Sequence, residues 1–179
     1  MIRYVSRISA IAIRHSFGPA IALSQPDEAA FRAWPQYCDQ NVHLNNAHYL
    51  TFMDYGRIRW MARTRTLMPV VKHKIPLFVG GVTITYRREI RQLSEFRVRT
   101  EVPCWDDDWL YFAQDFLKED GKPAARGLVR AAIRTQDGRQ PPEFLLEKAG
   151  LSAERPAMTD EILAWAESLP PTLEAMRNA

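Results

Sequence analysis

The sequence has few of the residues that mark metal sites and disulfide frameworks. It contains two cysteines, Cys38 and Cys104, and four scattered histidines, without metal-ligand spacing. It also lacks a G-x-S-x-G elbow, a P-loop, a G-x-G-x-x-G fingerprint and an H-E-x-x-H motif. We therefore expect neither a metal nor a cofactor, and two reduced cysteines favour a cytoplasmic protein.

The sequence also lacks a large excess of either positive or negative residues. The net charge is +3, and the pI is near 9.0. This mild balance suits a partner that carries phosphates or carboxylates, but it is too diffuse to indicate nucleic acid. A chain of 179 residues with 46% hydrophobic content can bury one core. We expect one domain at residues 21–150, an amphipathic helix at 1–20 and a tail with a short helix at 151–179.

The N-terminal segment carries no hydrophobic run long enough for a bilayer, since its apolar stretch covers only residues 8–13. Residues 1–16 place Arg3, Arg7, Arg14 and His15 among apolar side chains, with no acidic residue. This pattern is typical of a basic amphipathic helix. Such a helix could lie on an anionic membrane, act as a transit peptide, or pack on its own domain or a neighbouring subunit. We favour packing.

Helical periodicity covers residues 45–67 and is expected to end at Pro69. One face of this helix carries Asn46, Tyr49, Met53, Gly56, Trp60, Thr64 and Leu67. Arg57 lies within the stripe and can reach Asp54, so we interpret this pair as structural. Gly56 disfavours a helix and is expected to permit close approach by another backbone.

After the helix, the apolar residues alternate with a period of two. Residues 82–87, 96–102, 110–116 and 128–135 predict four strands joined by turns at 92–94, 106–108 and 120–122. Short connections favour antiparallel neighbours. An earlier strand is expected at 31–37, and residues 143–149 and 159–168 have helical potential. The pattern predicts an α+β domain in which an antiparallel sheet wraps one long helix.

A polar cluster directly precedes the long helix. Five polar side chains occupy eight positions: Asp39, Asn41, His43, Asn45 and Asn46. Asn and Asp cap helices, and a helix start attracts negative charge because its first amides are unpaired. A carboxylate, an amide and an imidazole beside that end could polarise a carbonyl and position a water. A cap alone needs fewer polar groups, so this loop is our candidate site.

Three motifs resemble those of a known superfamily. The pattern Asp39-x-Asn41-x-His43-x-Asn45-Asn46-x-x-Tyr49-Leu50 resembles a motif of the acyl-thioester hydrolases with the hotdog fold, the 4-hydroxybenzoyl-coenzyme A thioesterase-like proteins. Residues 54–57 and 105–109, Asp-Tyr-Gly-Arg and Trp-Asp-Asp-Asp-Trp, are similar to those of the thioesterase-superfamily-member-6-like subgroup. The resemblance implies a hotdog fold and covers the chain to about residue 151.

A fourth motif extends the resemblance to the chemistry. Residues 83–89, Thr-Ile-Thr-Tyr-Arg-Arg-Glu, are similar to a segment of plant acyl-carrier-protein thioesterases. That similarity implies a catalytic set of Asp39, Asn41, His43 and Glu89. Glu89 or Asp39 would supply a base, His43 would orient water or protonate the thiolate, and Asn41 would hold the water or the oxyanion. An aspartate nucleophile is excluded at position 41, which favours a general base.

Substrate-binding residues are expected around this set. Amides at the helix start, next to Asn45 and Asn46, would receive the carbonyl oxygen. An acyl tunnel would be lined by Tyr49, Met53 and Trp60 from the helix stripe. Arg88 or Arg91, which flank Glu89, would meet the phosphates of coenzyme A or the acidic surface of an acyl carrier protein.

Three further interpretations follow or stay open. Sites in this superfamily form where two subunits join edge to edge, which implies a homodimer or a homotetramer with residues 39–46 of one chain facing Glu89 of the other. The chain could instead be a non-catalytic acyl-binding protein, or one that contacts a membrane peripherally through residues 1–16. A hotdog hydratase is disfavoured because Val42 alone separates Asn41 from His43.

Overall fold

The computed structural model describes the backbone of residues 2–177 and the side chains of residues 4–169. The helices are α1 (Ile2–Ser16), α2 (Asn46–Arg63), α3 (Leu67–Lys72), α4 (Pro142–Lys148) and α5 (Asp160–Arg177), with a 3-10 turn at Pro35–Tyr37. The strands are β1 (Asp27–Arg32), β2 (Leu77–Tyr86), β3 (Glu95–Trp105), β4 (Leu110–Lys118), β5 (Pro123–Thr135) and β6 (Gly138–Gln140). The α+β class predicted from the sequence is confirmed.

The sheet is antiparallel, and its strands follow the order β1-β3-β4-β5-β2, with β6 paired to the end of β5. The predicted meander of four strands is therefore wrong at its first member. Only β3, β4 and β5 are consecutive neighbours, whereas β2 pairs with β5 on the far side. The connection from β2 to β3 crosses the sheet, so β2 forms one edge and β1 the other.

Helix α2 fills the concave side of the curled sheet. Its stripe supplies the fully buried Met53 and the nearly buried Tyr49 and Trp60, and the neighbouring Phe52 is fully buried as well. Aromatic side chains of β3 and β4 pack against the stripe: the Phe52 and Phe96 rings lie 4.9 Å apart and almost perpendicular. Burial of these side chains against the sheet stabilises the fold.

Gly56 lets the sheet approach α2 closely. A Cβ atom there would lie 2.6 Å from the Thr100 hydroxyl and 2.9 Å from the Gln114 amide nitrogen. The close neighbours are therefore side chains of β3 and β4, and the expectation of a second backbone is wrong. Arg57 forms the expected ion pair with Asp54 and also donates to Gln114 Oε1 at 2.8 Å. This buried network joins the helix to the sheet.

Two predicted boundaries are corrected by local chemistry. Helix α2 ends at Arg63, because Arg65 adopts a left-handed φ of 66°. Pro69 lies in the first turns of α3, where a missing N–H is tolerated, and therefore does not terminate α2. The first strand is Asp27–Arg32 and not residues 31–37, since Pro35 begins a 3-10 turn.

The terminal helices cover opposite sides of the domain. Helix α1 packs on α2 and on the 3-10 turn, as the packing interpretation predicts. The Tyr4 hydroxyl donates to Asp54 of α2, and Arg7 donates to the Tyr37 hydroxyl of the turn, both at 2.7 Å. Helix α5 lies on the outer face of the sheet, where Ile162 packs against the cluster that contains Tyr111. In the described part of the chain, no helix has the length and apolar character required to span a bilayer.

Candidate active site

The polar loop before α2 is a tight turn built by Asp39. The Val42 amide donates to the Asp39 carbonyl at 3.0 Å, and the Asp39 amide donates to the His43 carbonyl at 3.0 Å. The Asp39 side chain accepts a hydrogen bond from the Asn41 amide at 2.8 Å. Val42 takes a left-handed φ of 62°, which closes the turn. The turn exposes Asn41 and Gln40 to solvent.

A second segment of the same chain runs beside this turn. The Leu44 amide donates to the Ile90 carbonyl at 2.8 Å, and the Gln92 amide donates to the Val42 carbonyl at 2.9 Å. His43 and Arg91 thereby form an isolated β-bridge. The segment that follows β2, including Glu89, is thus fixed next to His43 within one subunit. The expectation that residues 39–46 face Glu89 of a partner is corrected by this intrachain pairing.

The charged groups of the site are arranged around His43. Its Nδ1 atom lies 3.6 Å from Asp39 Oδ1. Glu89 is exposed and accepts a hydrogen bond from Arg91 Nε at 2.7 Å. This hydrogen bond, and then the positive charge of Arg91, lower the pKa of Glu89, with a smaller contribution from His43. The Glu89 carboxylate is therefore ionised at neutral pH, and the hydrogen bond from Arg91 makes it a weaker base than a free glutamate.

The N-terminus of α2 opens onto the same turn. Asn45 is the N-cap residue, and its side-chain oxygen accepts a hydrogen bond from the Ala47 amide at 2.9 Å. Asn46 is the first residue of the helix and is exposed. The helix macrodipole directs partial positive charge at the space beside the turn. The loop thus combines an anion-attracting helix start with an imidazole and two carboxylates.

The three side chains expected in an acyl tunnel lie in the core. The ring of Tyr49 is 4.9 Å from that of Tyr86 and 4.6 Å from that of Phe116, and burial raises its pKa to about 12. Met53 packs against Gly127, where a Cβ atom would lie 2.5 Å from its methyl carbon. Trp60 adjoins a cavity of only about 20 Å³, which is near the volume of one water. A tunnel role for these residues stays a prediction.

The two arginines expected at the site mouth differ in placement. Arg91 is largely exposed and held by Glu89, next to the turn. Arg88 instead donates to the Pro123 carbonyl at 2.9 Å, on the turn between β4 and β5. Arg91 is thus the better placed of the two for a phosphate beside the loop.

Metal ligation has no support in the described residues, which contain no group of three or more His, Cys, Asp or Glu side chains able to hold an ion. Cys38, next to Asp39, is partly buried, and burial raises the pKa of its thiol. A raised pKa disfavours the nucleophilic thiolate. The chemistry of the loop therefore depends on carboxylate, amide and imidazole groups.

The family model of the thioesterase-like superfamily matches residues 33–165, which include the turn, α2 and every strand of the sheet except β1. The chain belongs to the thioesterase-like superfamily. Two curated relatives of this thioesterase-like chain are Protein THEM6 of Xenopus laevis, 28% identical over 136 residues, and Protein THEM6 of Danio rerio, 29% identical over 140 residues. The matches cover 73% and 78% of this chain, and 62% and 68% of the frog and fish proteins. The chain thus spans less than two thirds of the frog protein.

Solved structures of thioesterases share the fold of this superfamily member. The probable thioesterase YbaW of Escherichia coli superposes with a TM-score of 0.62 at 20% identity, covering 68% of this chain and 94% of YbaW. The gentisyl-coenzyme A thioesterase BH1999 superposes with a TM-score of 0.58 at 15% identity, covering 69% of this chain and 98% of that one. At these identities the likeness concerns the fold, and it confirms the hotdog architecture.

The sequence did not reveal two features of the site. One is the pairing of residues 42–44 with 90–92, since neither segment shows strand periodicity. The other is the left-handed conformation of Val42, which a β-branched residue rarely adopts. The Asp39-to-Asn45 spacing did indicate the turn and the cap themselves.

Proposed function

We propose that this protein hydrolyses acyl-coenzyme A thioesters, with an acyl carrier protein as the alternative thiol carrier. The observation that carries the proposal is the convergence of Asp39, Asn41, His43 and Glu89 on one turn at the start of α2 in a thioesterase-like chain. The arrangement offers a base, an amide and a positive helix end to one thioester. Each group meets a different requirement of the reaction.

The proposed reaction has two balanced parts. Glu89 accepts a proton from water held by Asn41, and the water oxygen forms a bond to the thioester carbon. Amides at the start of α2 stabilise the oxyanion, while Asp39 orients His43. The carbon–sulfur bond then breaks as the carbonyl re-forms, and the thiolate takes a proton from His43. The proton held by Glu89 passes through solvent to His43, which restores both groups. Arg91 lies where it could meet a phosphate of coenzyme A.

A panel of acetyl- to palmitoyl-coenzyme A, followed by thiol release, tests this activity. We expect turnover on at least one chain length, and we expect Glu89→Gln to lower kcat about tenfold or more because the base is lost. Since the pKa of Glu89 is lowered, the activity should persist into mildly acidic solution before protonation of Glu89 removes it.

Glu28→Gln is the matched control, because Glu28 also forms an exposed ion pair with an arginine, Arg97, but on β1. No turnover above the buffer rate on any ester would contradict hydrolysis and favour an acyl-binding protein. Hydration of crotonyl- or octenoyl-coenzyme A would instead favour a hydratase.

We also propose that two copies pair through β2. This edge strand has ten residues without a charge or a proline, and it exposes Phe78, Val79 and Val82. An uncharged, exposed edge is a template for pairing with another strand. The opposite edge, β1, carries Asp27, Glu28 and Arg32 and offers no such template. A twofold pairing of β2 would continue the sheet across both subunits.

Light scattering at micromolar concentration should report twice the chain mass of 20.6 kDa. Val82→Lys should yield a monomer, because a lysine in the middle of the strand would lie close to its symmetry mate. Val5→Lys is the control, because Val5 lies on α1 and is even more exposed than Val82, and this variant should stay dimeric. A monomeric wild-type chain would refute the assembly.

The cellular location is proposed on two observations. Both cysteines are free, which suits a reducing cytoplasm. Helix α1 nevertheless exposes Val5 and Ile13, with Arg14 beside Ile13, and the exposed Phe17 directly follows the helix. A peripheral contact of this helix with an anionic membrane is therefore the alternative.

A further inference from the structure

A cavity of about 170 Å³ lies between helices α1 and α2 and the inner face of the sheet. Its walls are mainly apolar and include Ile8 of α1, Met61 of α2, Val79 of β2 and Phe112 of β4. The volume is close to that of cavities of about 150 Å³ that accommodate benzene. The space therefore suits one group of six carbons.

The polar end of the cavity is neutral as a whole. Arg57 enters the lining already paired with Asp54 and hydrogen-bonded to Gln114. The Tyr4 hydroxyl donates to the second oxygen of Asp54 at 2.7 Å, and the pKa of Tyr4 is raised to about 12, so it stays protonated. A ligand carboxylate would find no unpaired cation and would meet Asp54. The cavity thus suits an uncharged group.

Helix α1 supplies one wall of this cavity through Tyr4 and Ile8. Both residues precede the segment shared with the superfamily, which begins at residue 33. The wall is therefore supplied from outside the matched segment. A larger side chain on that wall would reduce the volume without touching the catalytic turn.

The cavity is too far from the turn of its own subunit for a short acyl group. Arg57 lies eleven residues beyond Asn46 on α2, which corresponds to about 16 Å of helix. The buried side chains of Tyr49 and Met53 fill the space between them. A six-carbon group cannot bridge this distance.

Antiparallel pairing of two β2 strands would bring the cavity of one subunit close to the catalytic turn of the other. It runs the Tyr86 end of one strand, which leads to Glu89, alongside the Leu77 end of the other, which lines the cavity. Paired strands lie about 4.8 Å apart, and a twofold axis normal to the sheet keeps both helices on the same side. The catalytic turn of one subunit then adjoins the cavity of its partner.

We propose that this cavity receives the acyl group of a thioester whose carbonyl lies at the catalytic turn of the partner subunit, and that Ile8 limits its size. The inference rests on the proposed hydrolysis and names its substrate class: uncharged acyl groups of about six carbons, aromatic or aliphatic. Longer chains place their additional carbons outside the apolar lining. Acyl groups that end in a carboxylate are poor substrates.

The first test measures kcat/KM along the series of even-numbered esters from acetyl- to dodecanoyl-coenzyme A, with benzoyl- and adipoyl-coenzyme A. For the wild type, kcat/KM should increase about fourfold per methylene up to about six carbons and then level. Adipoyl-coenzyme A should fall below hexanoyl-coenzyme A. A continued rise through dodecanoyl-coenzyme A would overturn the assignment.

Ile8→Trp should reduce the ratio of hexanoyl to acetyl activity about tenfold or more by filling the cavity. Ile13→Trp is the matched control, because Ile13 is on the same helix but 64% exposed, and its ratio should equal that of the wild type. Val79→Phe narrows the cavity from the opposite wall and should act like Ile8→Trp even if the latter disturbs α1. Because Val79 also lies on the β2 edge, this comparison uses the variant only as a dimer, as checked by light scattering. Unchanged ratios in both cavity variants, with hydrolysis intact, would overturn the inference alone. A wild type that hydrolyses no ester would instead overturn the proposed function.

Mixed dimers test which subunit supplies the cavity. A His43→Ala subunit retains its cavity, and an Ile8→Trp subunit retains its turn, so a mixed dimer regains one complete site only if the site is shared. Equal co-expression makes half of the dimers mixed, which should restore about a quarter of wild-type hexanoyl-coenzyme A hydrolysis. No recovery beyond the sum of the two parental activities would refute the shared site.

Discussion

His43→Ala should lower kcat for the best acyl-coenzyme A ester about a hundredfold, with a smaller change in KM. His43 adjoins Asp39 on one side and pairs with the Glu89 segment through Arg91 on the other. Its imidazole is the group placed to donate a proton to the departing thiolate, and positioned acid–base groups contribute about 10² to 10⁴ in rate. Removal of the side chain leaves the backbone pairing of residues 42–44 in place.

The measurement is steady-state thiol release under saturating ester, with Gln40→Ala as the control. Gln40 belongs to the same turn and is exposed, so its truncation disturbs the turn equally little and should leave kcat near that of the wild type. Equal kcat values for His43→Ala and wild type would remove His43 from the mechanism.

Asp27→Ala should lower the free energy of unfolding by about 3 kcal/mol, because it breaks a buried ion-pair network. The Asp27 side chain is 2% exposed and contacts both Arg59, at 2.8 Å, and Arg63. These contacts fasten β1 at the sheet edge to the last turns of α2. Without the carboxylate, two partly buried guanidinium groups face each other unpaired.

Urea denaturation followed by circular dichroism measures this loss. Glu28→Ala is the control on the adjacent position, since the Glu28–Arg97 pair is exposed and should contribute about 0 to 1 kcal/mol. A difference of less than 1 kcal/mol between the two variants would show that the Asp27 network contributes no more than a surface pair.

The sequence predicted the helices and strands of this fold better than it predicted which strands pair with each other. Periodicity records which side chains are buried, so it identified α2 and the strands later found as β3, β4 and β5. It does not record which strand lies beside another, and β2 was therefore placed next to β3 although it pairs with β5. A short connection between two strands indicates that they pair only when the connection does not cross other strands of the sheet, and the connection from β2 to β3 does cross them.

The candidate site was predictable in part for a similar reason. Cap chemistry indicated that Asp39 and Asn45 shape a turn at a helix start, and the structure has both hydrogen bonds. The approach of Glu89 depends on backbone hydrogen bonds from Leu44 and Gln92, which any residue with an N–H could form. Side-chain patterns carry no information about such bonds, so the sequence did not place Glu89 in the correct subunit.

Helix α5 determines what the outer face of the sheet offers to other molecules. Arg126 is clamped by two oxygens of Glu161, and Ile162 and Trp165 cover Tyr111 and Leu128. Without α5, the side chains of Tyr111 and Leu128 would form an exposed apolar patch able to bind other molecules. With α5 in place, the sheets of two molecules cannot pack face to face through this region. A dimer formed along β2 therefore has no exposed apolar surface there through which it could associate further. By covering this apolar cluster, α5 limits association of the protein through the outer face of the sheet.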